Sequence, residues 1–285
     1  MNKIRVGQFE VYGLTDGTFL LDGGAMFGIV PKVLWEKKMP ADKRNRILLS
    51  LNSILINTGK ELILVETGMG GKLDPKNLEI YGVNRKPDLI QSLAKINFTQ
   101  QEIDFVINTH LHFDHCGGNT SWAQDGQIKP TFPQAKYIIQ RGEWEHALQP
   151  NERDRASYLK ENFLPLKGYN KLELIEGDAE IVPGVETILV PGHTKYHQCV
   201  KVSSEGKILF FLGDLAPTTS HINLPYIMSY DLYPLETLEN KKKIFRQAIE
   251  ENWILTFNHD PNYFFGKIKI EEKKYKFIPL KKECF

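Results

Sequence analysis

The chain has 285 residues, 41% of them hydrophobic and 25% charged, and a net charge of +1. These are ordinary globular values, enough to bury a sizeable core and suited to one large domain over residues 1–285. They exclude a general basic field for nucleic acid, and the absence of an eighteen-residue apolar run excludes a helical membrane span.

Residues 1–6 lack an apolar core, so no signal peptide is expected. Cys116, Cys199 and Cys284 are odd in number and far apart, which fits a reducing cytoplasm better than a disulfide framework. Residues 4–21 read as short strands around Gly7, Gly13 and Gly17. Residues 21–28 follow as a loop, in which paired glycines beside Met26 and Phe27 read either as a mobile apolar flap or as a plain surface loop with two anchoring apolar residues.

Residues 49–57 and 61–66 flank Thr58-Gly59-Lys60 as a hairpin. Its second strand ends at Glu66, an acid placed either to support a ligand imidazole or to cap a loop. The pattern predicts a helix over 87–96 with Pro87 in its first turn, and residues 99–102 have the spacing of a capping box. A strand over 104–108 then runs into His110-Leu111-His112-Phe113-Asp114-His115.

Residues 141–162 read as polar and mostly helical around Trp144, Leu148, Tyr158 and Leu159. Strands are predicted over 172–175 and 185–190, the latter ending in Pro191-Gly192-His193. Residues 198–203 and 208–212 make a hairpin that ends in Gly213-Asp214. The longest predicted helix covers 235–252, with Leu235, Leu238, Phe245, Ala248 and Ile249 on one face. A strand over 253–257 ends at His259, and 263–280 reads as a terminal hairpin. Strand-rich blocks near 4–110 and 170–262 suggest two halves.

The run from His110 to His115 places four metal-ligand side chains within six residues. Imidazole and carboxylate suit zinc and its neighbours. If the strand ends near Thr109, a turn can aim His110 and His112 at one point and Asp114 and His115 at another, with two ions roughly 3.5–4 Å apart. His193, Asp214 and His259 each sit at a strand exit, where scaffolds commonly present chemistry. His193 can complete a site with His110 and His112, His259 can join Asp114 and His115, and Asp214 can bridge. An open position would remain, as in catalytic rather than structural sites. Two carboxylates and a hydroxide against two divalent ions leave a charge of about +1, suited to a neutral carbonyl and the oxyanion it becomes. His197 and Cys116 are read as structural. His146 has no motif support, and His221 follows Asp214 closely enough to approach the site.

In this order the seven residues resemble the metallo-β-lactamase superfamily over about residues 10 to 262. The resemblance implies an α+β fold, a four-layer αββα sandwich with the metal site at one edge of the two sheets. It places His110, His112 and His193 on one ion, Asp114, His115 and His259 on the other, and Asp214 between them. Residues 23–32 with Trp35, 213–218 and 224–231 are similar to the quorum-quenching lactonase branch, which also contains methyl parathion hydrolases. That branch usually has Asp where this chain has Glu66. Its best-known lactonases carry a tyrosine three residues past the bridging Asp, where this chain has Pro217. Tyr226, Tyr230 and His221 are the candidates to replace it.

The expected activity is a dinuclear-metal hydrolase opening a lactone or related ester. A metal-bridging hydroxide attacks, Asp114 and Asp214 are the catalytic carboxylates, and Met26, Phe27, Phe113, His221, Tyr226 and Tyr230 bind substrate. The expected cofactors are two divalent ions, zinc first, with iron, manganese or cobalt as alternatives. The expected partner is a small molecule, without nucleic acid or membrane, and a homodimer is left open. The alternatives are a glyoxalase II-like thioesterase, a phosphotriesterase, and a non-catalytic metal-binding relative.

Overall fold

The computed structural model describes residues 2–280, so Cys284 lies outside the described residues. The first sheet holds β1 (Asn2–Val6), β2 (Phe9–Asp22), β3 (Arg46–Asn57), β4 (Leu62–Val65), β5 (Phe105–Ile107), β8 (Lys136–Gln140) and β9 (Leu172–Ile175), in that spatial order. A separate small hairpin pairs β6 (Thr120–Trp122) with β7 (Ile128–Pro130). The second sheet runs in chain order through β10 (Ala179–Val182), β11 (Val185–Leu189), β12 (Gln198–Ser204), β13 (Lys207–Phe211), β14 (Ile254–Thr256), β15 (Phe265–Glu271) and β16 (Lys274–Pro279). The helices are α1 (Gly23–Phe27), α2 (Lys32–Trp35), α3 (Pro75–Ile80), α4 (Leu89–Ala94), α5 (Phe113–Cys116), α6 (Arg141–Leu148), α7 (Leu164–Gly168) and α8 (Pro234–Glu250).

Period-two alternation explains the layering. On β3 and β4, Ile54, Ile56, Ile63 and Val65 face the second sheet, where they meet Val185, Val200, Val202 and Phe211. Leu55 and Leu64, one residue out of phase, face the other way, onto Leu89 and Leu93 of α4 and the cluster that includes Trp144 of α6. Strands covered on both faces read as near-continuous apolar runs. On the far side, Ile244, Phe245 and Ala248 of α8 pack on Phe210 and Leu255. The result is helix, sheet, sheet, helix, the αββα sandwich expected from the resemblance. Among the described residues, no helix is long and apolar enough to cross a membrane.

Several elements differ from the sequence reading. Residues 9–22 form one long strand rather than several short ones, with an irregularity between Thr15 and Thr18 where Gly17 takes φ +99°. Residues 23–27 form one helical turn rather than a loop, capped by the Asp22 carboxylate on Ala25 N–H, and Met26 and Phe27 are buried as its two apolar anchors. Asp88 caps α4, so Pro87 precedes the helix instead of sitting in its first turn. The hairpin β6–β7 and helix α3 had no apolar periodicity to announce them. On α8, Leu235 is exposed and the polar Thr237 and Lys241 are buried. The cause is tertiary: Thr237 meets the Asp231 carboxylate and Lys241 the carbonyls of Asn223 and Tyr226.

Candidate metal centre

Sheet direction gathers the chemistry. β4 and β5 are parallel, so their carboxyl ends deliver Glu66 and the 108–115 loop to the same edge. β13 and β14 are parallel and deliver Asp214 and His259 together. β11 is two antiparallel steps from β13, so it also ends at that edge, at His193. The two sheets are stitched there by Gln198, whose side-chain amide donates to Asn108 O at 2.8 Å and whose backbone N–H donates to Thr109 O at 2.9 Å.

All seven predicted ligand residues meet. Donor atoms of His110, His112 and His193 lie within 4.8 Å of one another, as do those of Asp114, His115 and His259, and those of His110, His115 and Asp214. Asp214 faces both groups. Its Oδ2 lies 3.2 Å from His193 Nε2 and 3.6 Å from His115 Nε2, and its Oδ1 lies 3.4 Å from His259 Nε2. His193 Nε2 and His112 Nδ1 are 3.1 Å apart, and the Nε2 atoms of His115 and His259 are 3.2 Å apart. Asp114 opens α5, partly exposed, with Oδ2 at 3.5 Å from His259 Nε2.

The donor set fits divalent cations. His259 Nδ1 lies 2.8 Å from Ser50 O, which can only accept, so the proton sits on Nδ1 and the Nε2 lone pair faces inward. His193 Nδ1 donates to Asp231 Oδ1 at 2.9 Å with the same consequence. His110 Nε2 is buried with no hydrogen-bond partner. Burial, reinforced by neighbouring imidazoles, holds His110 and His112 well below the ordinary histidine value, so both stay neutral and able to ligate. Burial would raise Asp214, but His115, His193 and His259 outweigh it and hold the carboxyl well below its usual range. Burial would lower His115 and His193, but Asp214 with Asp114 outweighs it at the first and Asp214 with Asp231 at the second, raising both, so this face attracts positive charge, which a divalent cation would supply in place of protons.

The orienting residues come from distant segments, and most escaped the sequence reading. Asp231 Oδ2 also accepts from Thr237 Oγ1 at 2.7 Å, which fixes the carboxylate behind His193. Glu143, on α6, accepts from Leu111 N–H at 3.1 Å and Tyr158 O–H at 2.9 Å through Oε1, and from Thr194 O–H at 2.7 Å through Oε2. It thereby joins the His110 loop to the His193 loop. No local motif marks either acid, since the residues it ties to the centre lie far off in the chain, His193 38 residues from Asp231 and Leu111 and Thr194 32 and 51 residues from Glu143. Glu66, at φ +67°, accepts from Thr109 N–H at 2.9 Å, which caps the loop, and its Oε1 lies 3.4 Å from His115 Nδ1. His197 accepts the Asp214 N–H at 3.0 Å, and burial pushes it down to about 3, which keeps it a neutral acceptor. Gly213, at φ +52°, is required there because a Cβ would stand 2.6 Å from that ring nitrogen. Cys116 is buried, with its thiol on Leu111 O, and His146 pairs with Asp154 at 2.6 Å.

The centre floors a cavity of about 370 Å³. Of the predicted substrate residues, Met26, Phe113 and Tyr230 line it. Phe27, His221 and Tyr226 lie behind the wall instead. Phe27 stacks on Trp35 at 5.4 Å and on His221 at 4.6 Å, and meets the Tyr226 ring edge-on at 5.9 Å. His221 donates to Met26 O at 2.8 Å and accepts from Thr218 O–H at 2.7 Å. Tyr81, Leu21, Met228, Leu232 and Arg153 line the cavity and were not foreseen.

This arrangement, a sandwich edge carrying five histidines and two aspartates, defines the class. The Metallo-beta-lactamase superfamily model matches residues 47–252, and the chain belongs to that superfamily. It is a hydrolase of that superfamily. An N-acyl homoserine lactonase of Bacillus cereus is 30% identical over 225 residues, covering 72% of this chain and 79% of the relative. Among solved structures, a probable metal-dependent hydrolase from Staphylococcus aureus superposes with a TM-score of 0.89 at 34% identity, covering 98% of this chain and 99% of that one. AidC, a dizinc quorum-quenching lactonase solved with a product homoserine, shares the fold with a TM-score of 0.81 at 23% identity, covering 98% and 97%.

Proposed function

We propose that this protein is a dinuclear-metal hydrolase that opens a lactone or a related carboxylic ester. One observation carries the reading: Asp214 offers one oxygen toward the His193 side and the other toward His259, at the floor of a largely apolar cavity. His110, His112 and His193 would hold one cation, Asp114, His115 and His259 the other, with Asp214 shared. Zinc is the expected metal, with iron, manganese or cobalt as alternatives. Two such cations would supply an electrophile for the carbonyl oxygen and lower the pKa of the attacking water.

The chain's own residues do the rest. Asp114, partly exposed beside the centre, takes the proton of the attacking water and returns it to the leaving alkoxide. Met26, Phe113, Met228 and Leu232 hold an acyl chain away from water. Tyr81 and Tyr230 line the cavity and are the candidate phenols to polarise a carbonyl, the task left open by Pro217. Burial, with Asp114 adding to it, raises Tyr81, and burial pushes Tyr230 up to about 12, so both remain protonated donors. One sheet supplies four of the seven ligand residues and the other three, which supports a single catalytic domain over 1–285.

The test is metal analysis followed by a pH-indicator panel of lactones, aryl esters, thioesters and phosphotriesters. Two metal equivalents with lactone turnover ahead of the other classes is the expected result. A metal-replete protein inert toward every class would overturn the reading, and preference for thioesters or phosphotriesters would redirect it.

A further inference from the structure

Lys241 is fully buried on the second turn of α8. Its ammonium donates to three backbone carbonyls of one short segment: Asn223 O at 2.9 Å, Leu224 O at 3.4 Å and Tyr226 O at 2.9 Å. No carboxylate lies within ion-pair distance among the described residues, and Asp231 is the acid whose charge acts on it. Burial pushes the group down to about 7, and only its protonated form, present below that pH, carries donors for all three carbonyls. Buried ions without a paired counter-charge are costly, and an apolar side chain of similar volume often serves packing as well or better. The three carbonyls are therefore the feature to explain.

They belong to residues 223–233, a strap of irregular chain that crosses the cavity. At its far end it is tied to the metal centre, through Leu232 N–H to His193 O, Tyr233 N–H to Gly192 O, and the Asp231 carboxylate on His193. In its middle, Met228, Ser229, Tyr230 and Leu232 line the cavity. Ser229 there has two outside ties, its N–H to Ala25 O at 2.8 Å and its carbonyl to Arg153 at 2.6 Å. At the near end, Lys241 is the shared donor for three of its first four carbonyls. Nothing in the local pattern of 223–226, Asn-Leu-Pro-Tyr, forms a regular element that would hold these groups by itself.

We propose that Lys241 is a positioning residue for the substrate wall: it holds the strap in the closed path that shapes the cavity, and so sets substrate affinity and acyl-chain discrimination without touching substrate. The proposal rests on the reading of this cavity as the substrate site. Its physical basis is convergence. A compact ammonium with three rotatable donors can satisfy three carbonyls that meet at a point, whereas an apolar side chain leaves Leu224 O and Tyr226 O without donors and Asn223 O with only the turn bond from Tyr226 N–H at 3.0 Å. Their cheapest remedy is to turn toward water, which means that the strap opens.

The experiment compares wild type with Lys241→Met and Lys241→Arg by hydrogen exchange, metal content and steady-state kinetics on lactones of short and long acyl chains. For Lys241→Met the expected result is exchange faster by about tenfold or more, confined to residues 223–230, with metal content unchanged. KM for the preferred lactone should rise about tenfold with kcat within about threefold, and the preference between chain lengths should narrow. Lys241→Arg should fall between, because its planar fork keeps the charge but cannot address three converging acceptors equally. Exchange confined to the strap with no lactone turnover in any of the three proteins would support the anchoring and count against the lactonase reading alone. Unchanged strap exchange and KM in both variants, or faster exchange spread evenly over α8 and both sheets, would overturn the proposal. If Lys241→Met does not fold, the same two readouts on Lys241→Arg decide.

Discussion

Replacing Glu143 by alanine is the sharpest test of how the two ligand loops are held. The carboxylate is 1% exposed and accepts three hydrogen bonds, from Leu111 N–H, Tyr158 O–H and Thr194 O–H. Alanine strands three buried donors, each costing about 1–3 kcal/mol when unpaired. The two hydroxyls can rotate to other acceptors, and burial pushes the Glu143 carboxyl up, so part of its hydrogen-bond gain already offsets desolvation. The net loss should be about 3 kcal/mol. Because Leu111 lies between His110 and His112, and Thr194 follows His193, divalent-metal affinity should also fall about 10–100-fold. Glutamine keeps the shape. Its carbonyl accepts from Leu111 and Tyr158, and the Thr194 hydroxyl turns to accept from its amide, so it should lose no more than about 1 kcal/mol. Urea unfolding of the metal-free proteins and a competitive chelator titration read the two effects separately. An alanine variant within about 1 kcal/mol of wild type, or a glutamine variant as damaged as alanine, would falsify this account of the carboxylate.

Three further outcomes are expected. Asp231→Asn can present its amide nitrogen to His193 Nδ1 and so favour the wrong tautomer; metal affinity should fall about tenfold or more, measured by the same titration, with Thr237→Val showing a smaller loss in the same direction. Tyr230→Phe and Tyr81→Phe separate the two cavity phenols: the one that polarises the carbonyl should lose about 10–100-fold in kcat with little change in metal content, and equal turnover by both single variants and their double would remove phenol assistance from the mechanism. Burial pushes His221 down to about 3, whereas the unfolded chain protonates it near 6.5. The unfolded state therefore binds more protons between those values, and stability is lost as pH falls through that window, by roughly 2 kcal/mol at pH 5 from this group. In urea melts at pH 7 and pH 5, His221→Gln should show a drop smaller by that amount, and an identical drop would refute the assignment.

Much of the centre was legible in the chain because its signal is local. His110 to His115 sit within six residues, and His193, Asp214 and His259 each follow a short apolar run that is a strand. Strand alternation at 49–57 and 198–212, the capping box at 99–102, and the terminal hairpin followed from side-chain period and turn chemistry, which depend on near neighbours alone. The errors fell where distant contacts overrode local pattern. Met26 and Phe27 looked like the lip of a flap, yet Phe27 is clamped between Trp35 and His221, residues no local rule connects.

Tertiary structure alone decided which groups stand behind the seven clustered side chains and which residues line the cavity above them. Asp231 reaches His193 across 38 residues, Glu143 reaches Leu111 across 32, and Lys241, outside the predicted apolar face of its helix, is buried against the carbonyls of Asn223 and Tyr226. Ligand chemistry is written in residue type and order, since only a few side chains can hold a cation. Orientation is a property of distance in space, and a one-dimensional pattern carries no record of which remote carbonyl or carboxylate a folded chain will bring within 3 Å.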